Sequence, residues 1–133
     1  MIKLIFIWLE FTILQIVSSN SQLKISDAEI VCSSFNMELP IFQDESDYLD
    51  FKMALNQASL NRVWINMTVA KPIDYKGFTR PPIIYWFNNI STYYPNILWD
   101  CTSDNCMAFD LPSNSFKSDK CTSTLNYLCM SSK

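Results

Sequence analysis

An α+β domain stapled by disulfides is the fold class this sequence predicts, and three observations predict it. Two early segments carry helical periodicity behind capping residues, and three later ones carry the β-branched and aromatic content of strands. Five cysteines then follow an export-like start in a chain of 133 residues, a length that fits one domain.

The first nineteen residues read as a secretory signal. Lys3 supplies the positive end, Leu4 to Val17 is mostly apolar, and Val17-Ser18-Ser19 offers small or aliphatic residues for cleavage. A spanning helix is the competing reading. Glu10 opposes it, because a carboxylate at mid-membrane costs about 2.5–3.5 kcal/mol. Residues 20–133 then form the exported domain, with no membrane span after cleavage.

Ser26 with Glu29 forms a capping-box pattern, and Ala28, Val31, Cys32 and Phe35 recur at helical spacing, predicting a helix over about 26–36. Pro40 breaks the chain into a short extended piece ending at Phe42. Asp44 can cap a second helix, about 45–58, with Tyr48, Phe51 or Lys52, and Leu55 along one side. Arg62 to Val69 reads as a strand whose mid-strand Trp64 is core. From Ala70 to about Leu98 periodicity vanishes among Pro72, Gly77, Pro81, Pro82 and Pro95. A loop of that length signals function or disorder, and its dense aromatics argue against disorder. Asn105 to Leu111 and Leu125 to Met130 read as two further strands separated by a polar turn region.

Composition removes several function classes. The chain has no histidine, so the commonest general base and zinc ligand are absent. Its ten Lys and Arg are scattered, which gives no footprint for nucleic acid. Asp44, Glu45, Asp47 and Asp50 are grouped, but their setting reads as a helix cap and solvated face rather than a catalytic pair. No enzyme is expected.

Cys32, Cys101, Cys106, Cys121 and Cys129 imply a disulfide framework in an oxidising compartment, and spacing alone leaves the connectivity open. Asn66-Met67-Thr68 and Asn89-Ile90-Ser91 are glycosylation sequons, the second better placed in its loop than the first in its strand.

The ordered set from Asp27 to Cys129 resembles a C-type lectin-like domain. Asp27-Ala28 with Cys32 and then Leu39 resembles the family's first helix and following turn. Val63-Trp64-Ile65-Asn66 resembles its Trp-Ile-Gly strand, with Asn66 in the glycine's place as the residue next best able to take positive φ. Pro95-Asn96 matches the proline of the long loop, Asn105-Cys106-Met107-Ala108-Phe109 the Asn-Cys-Val-x-Phe strand, and Cys121 with Tyr127-Leu128-Cys129 the closing strand. The resemblance implies two helices, small antiparallel sheets, a long irregular loop, and bridges Cys32–Cys129 and Cys106–Cys121. Cys101 is left over, as a free thiol, an intermolecular bridge making a disulfide-linked dimer, or a partner of Cys106 in another connectivity. It also implies an N-terminal strand that this chain has short or missing, with Leu23-Lys24-Ile25 as its stub. The closing strand would then show an edge.

Where the family binds sugar, it does so through a calcium ion held by oxygens. Carried over, the loop motif falls on Tyr94-Pro95-Asn96, the acid before the cysteine on Asp104, and the Trp-Asn-Asp motif on Phe116-Lys117-Ser118. Asn96 and Asp104 alone cannot fill a calcium shell, Lys117 opposes one, and Asp104 reads first as a solvated loop carboxylate. No cofactor is therefore expected. The resemblance implies a secreted module binding glycan or protein ligands, with Tyr93, Tyr94, Asn96, Asp104 and Lys117 as candidate loop contacts.

Overall fold

The computed structural model describes residues 2–8, 13–70, 74–75, 78–79, 83–86, 93–100 and 106–131. Strands β1 (Ile2–Trp8) and β2 (Ile13–Leu23) precede helices α1 (Ile25–Ser34) and α2 (Glu45–Ala58). Then come β3 (Arg62–Ala70), β4 (Asp74–Tyr75), β5 (Phe78–Thr79), β6 (Ile83–Trp86), β7 (Leu98–Asp100), β8 (Cys106–Asp110), β9 (Ser115–Asp119) and β10 (Leu125–Met130). The main sheet runs β1-β2-β10-β3-β8-β9-β7, with β6 against β3, while β4 and β5 pair separately.

Alternation along the central strands sorts side chains onto two faces. Trp64, Ala108, Tyr127 and Cys129 pack with Ile25, Ala28 and Cys32 of α1. Val63, Ile65, Phe109 and Leu128 pack with Phe51, Ala54 and Leu55 of α2. The sheet thus lies between the two helices, and both of its faces are covered. Trp64 Nε1–H donates to the Leu23 carbonyl at 2.8 Å, fixing the end of β2 over that face.

The structure joins Cys32 to Cys129 and Cys106 to Cys121, the pairing the resemblance implies. The first ties α1 to β10. Cys101 lies outside the described residues.

Asp44 caps α2 as expected, accepting from the Asp47 N–H at 2.9 Å, while Asp47 accepts from the Gln43 N–H at 2.8 Å. α1 departs from its reading. It begins at Ile25 with Lys24 at the cap and no side-chain cap bond, so Ser26 is inside the helix. Phe35, expected on its buried face, is 44% exposed, and Ile25 takes that role. Both helices end the same way. Asn36 (φ 57°) and Ser59 (φ 56°) turn left-handed, and Met37 and Leu60 donate back to the Cys32 and Leu55 carbonyls before burying their side chains. Glycine usually fills this position, but the chain has one glycine in all.

Other expectations need correction. Asp50 is buried rather than solvated. Asn66 needs no positive φ; the described residues that adopt it without being glycine are Asn36, Ser59 and Asn114. The polar segment read as a turn contains β9, which β8 pairs from Cys106↔Asp119 to Asp110↔Ser115. Short strands β4 to β7 occupy parts of the stretch read as irregular. β2 runs antiparallel to β10, Leu23 opposite Leu125 and Ile16 opposite Met130, so a strand expected to be short or missing is present in the full chain. That strand draws on the segment read as a signal, and loss of residues 1–19 would leave 20–23 of it. No helix among the described residues is long and apolar enough to cross a membrane.

Candidate recognition site

The long-loop segment 93–100 is held by aromatic rings. β7 runs parallel to β9, placing Leu98 opposite Ser115 and Trp99 opposite Phe116. Trp99 stacks on the fully buried Phe116, with centroids 4.2 Å apart and planes at 13°. Its indole N–H donates to the Pro95 carbonyl at 3.0 Å, and the Ile97 N–H reaches the same oxygen at 2.9 Å. One carbonyl with two donors pins the turn through Asn96.

The candidate tyrosines separate. Tyr93 is half-buried against the core, 6.3 Å from the Tyr48 ring, and serves packing more than contact. Tyr94 is 44% exposed, with its inner face 5.8 Å from Trp86 and 6.0 Å from Trp99. That partial burial raises its hydroxyl pKa. Asn96 is exposed on the bend, and Leu98 beside it is 67% exposed. Asp104 and Asn89 lie outside the described residues. Asn66, named as a sequon, is 9% exposed within β3, and its backbone N–H donates to the Pro40 carbonyl.

Lys117 projects from β9 to Asp110 on β8 at 3.9 Å, and Arg62 of β3 reaches Asp119 at 3.0 Å. Asp110 also accepts from the Ser113 hydroxyl at 2.5 Å and the Ser113 N–H at 3.2 Å. The Ser113 hydroxyl bond, opposed by burial but aided by the Ser113 N–H, Lys117 and Arg62, lowers the Asp110 pKa. The linkage follows in sign. A depressed native carboxyl stabilises the fold above the unfolded pKa of about 3.9, and that contribution disappears as pH falls through the native value. Asp110→Asn is therefore expected to lower stability at neutral pH and to narrow the gap from wild type in acid. Urea titrations at pH 7 and pH 3 check it, and an unchanged gap counts against the network.

Sequence reasoning missed Leu98 and the Trp99–Phe116 stack. A three-residue strand bounded by proline and cysteine leaves too little periodicity to read.

No protein-family model matches the chain, and no curated protein matches it in sequence. Solved structures do. Human lithostathine superposes at a TM-score of 0.63 with 11% identity, over 90% of this chain and 92% of that one. A C-type lectin from the tunicate Polyandrocarpa misakiensis gives 0.63 and 15%, over 90% and 98%. The chain has the C-type lectin-like fold. A calcium-dependent type II antifreeze protein in its calcium-free form extends the likeness to 96% of this chain and 97% of its own, at 0.65 and 14% identity. Identities this low speak for the C-type lectin-like fold alone, and the use of the site rests on this chain's own residues.

Proposed function

We propose that the chain is a secreted C-type lectin-like recognition module that binds a glycan or protein ligand through the Tyr94–Leu98 surface, without a calcium ion. One observation carries the reading: Tyr94 and Leu98 are exposed on a turn that Trp99 anchors to the core. A rigid aromatic and aliphatic surface loses little entropy on binding, which is why such residues dominate interfaces. Export with cleavage after Ser19 fits the two disulfides, which persist in oxidising compartments.

The donor set argues against calcium. Where the family's first loop ligand would stand, Tyr94 offers a ring packed between Trp86 and Trp99. Lys117 places an ammonium on the strand beside it. Among the described residues, a cation needing six to eight oxygens finds neither the number nor the charge.

Glycan-array and pull-down binding with and without chelator tests the proposal. Tyr94→Ala and Leu98→Ala are each expected to weaken binding by about tenfold or more. Chelator should change nothing. Unchanged binding in both variants overturns the surface, and binding abolished by chelator overturns the calcium-free reading.

A further inference from the structure

β2 runs along one edge of β10, antiparallel to it, with Ser19 opposite Tyr127, Ser18 opposite Leu128 and Val17 opposite Cys129. Met130 spends its backbone N–H and C=O on Glu38, along the other edge. Backbone groups alternate sides along a strand, so Tyr127 and Cys129 direct theirs toward β2. Cleavage after Ser19 removes the residues opposite both, and of these pairs Leu23 opposite Leu125 remains. The exported chain then carries an open edge from Tyr127 through Cys129, with Ser131 next in the same phase.

The strand itself says what suits that edge. Leu125–Met130 has no charged residue and no proline, the usual devices that discourage pairing. Tyr127 and Cys129 are buried on the α1 side of the sheet, and Leu128 and Met130 on the α2 side. A neighbouring strand must therefore be apolar on both faces. β10 is such a strand.

α1 supplies a second observation. Ser26, Glu29 and Ser33 lie on its flank toward Asn66 of β3. Val31 and Phe35 lie one turn apart on the opposite flank, and β2 is on the opposite side of β10 from β3. Val31, like Leu23 and Leu125, is half-buried against the core beneath α1. Phe35 follows Cys32, whose bridge holds this stretch over Cys129, and is 44% exposed. A phenylalanine is thus left bare beside the edge that cleavage opens.

We propose that the exported chain forms a symmetric dimer in which β10 pairs antiparallel with β10 of a second copy. The inference rests on the export and cleavage step of the proposed function. A two-fold axis through Cys129 sets that residue opposite its counterpart and Tyr127 opposite Ser131, clear of Leu23. An axis normal to the sheet keeps both α1 helices on one face, so their Val31 and Phe35 flanks meet across it. β7, which carries the recognition turn, lies at the far end of the sheet, and the dimer presents two ligand surfaces at once.

The full chain secreted from a eukaryotic host tests this, with N-terminal sequencing to locate cleavage and sedimentation to read mass against concentration. A product starting at Asn20 is expected to sediment as a dimer with Kd at or below about 10 μM. Phe35→Glu, an exposed change that sets two carboxylates face to face, should weaken it by about tenfold or more. Cys101→Ser should leave the dimer intact, and hydrogen exchange at the Tyr127 and Cys129 amides should slow as concentration rises. A monomer starting at Asn20 overturns the dimer and leaves ligand binding at Tyr94–Leu98 standing. Mass indifferent to Phe35→Glu, or a dimer lost in Cys101→Ser, overturns it likewise. A product that keeps residues 1–19 overturns the cleavage step, and the dimer with it.

Discussion

Replacing Cys32 and Cys129 together by alanine is expected to remove roughly 4–5 kcal/mol of stability, the largest loss available to a change at one contact. The bridge closes a loop with a sequence separation of 97, against 15 for Cys106–Cys121, whose removal should cost nearer to about 3 kcal/mol. Chain entropy is only part of the reason. α1 commits three buried side chains to the sheet, and one of them is Cys32 itself. Ile25 and Ala28 are too small a surface to dock a ten-residue helix unaided. With total stabilities of domains near 5–15 kcal/mol, the double variant should be marginal at best. Urea unfolding of the two alanine pairs side by side checks it. A smaller loss for Cys32/Cys129 than for Cys106/Cys121 would show that the longer bridge is not what secures α1.

How far the sequence reveals this fold depends on how each segment is buried. α2 is legible because it is amphipathic: Asp44 marks its start, and Tyr48, Phe51 and Leu55 mark one side. β3, β8 and β10 are legible because both of their faces are covered, so most of their residues are apolar or cysteine. β9 is not, since Lys117, Ser118 and Asp119 lie on a half-exposed strand whose polarity imitates a turn. The start of α1 was misread for a related reason: Ser26 with Glu29 has the spacing of a capping box, yet Ile25 is pulled into the first turn by its burial. At the candidate site, Tyr94 was legible as an aromatic in a proline-marked loop. Its separation from Tyr93 was not, because neighbours in an irregular segment have no period to tell inward from outward. The burial of Asn66 is masked by its sequon, a polar motif on a strand that turns the residue inward.

Phe42→Ala is the second large effect, with an expected cost of about 3–5 kcal/mol. Sequence reading gave Phe42 no role beyond ending an extended piece after Pro40. In the fold it is fully buried, and its ring lies 5.5 Å from Tyr48, 5.2 Å from Phe51, 5.4 Å from Trp86 and 6.3 Å from Phe116. It therefore joins α2 to the rings that support the recognition surface, because Trp86 lies against Tyr94 and Phe116 against Trp99. Truncation at such a hub leaves a cavity walled by large rings that cannot collapse into it. Phe42→Leu, which keeps most of the volume, should cost much less. Chemical denaturation gives the energies, and near-ultraviolet circular dichroism reports whether the tryptophan environments loosen. The same variant should weaken ligand binding at temperatures where it is still folded, since Tyr94 and Trp99 would rest on a softened base. Stability within about 1 kcal/mol of wild type for Phe42→Ala, below the usual range for losing a core phenylalanine, would mean that the rings around it do not act as one cluster.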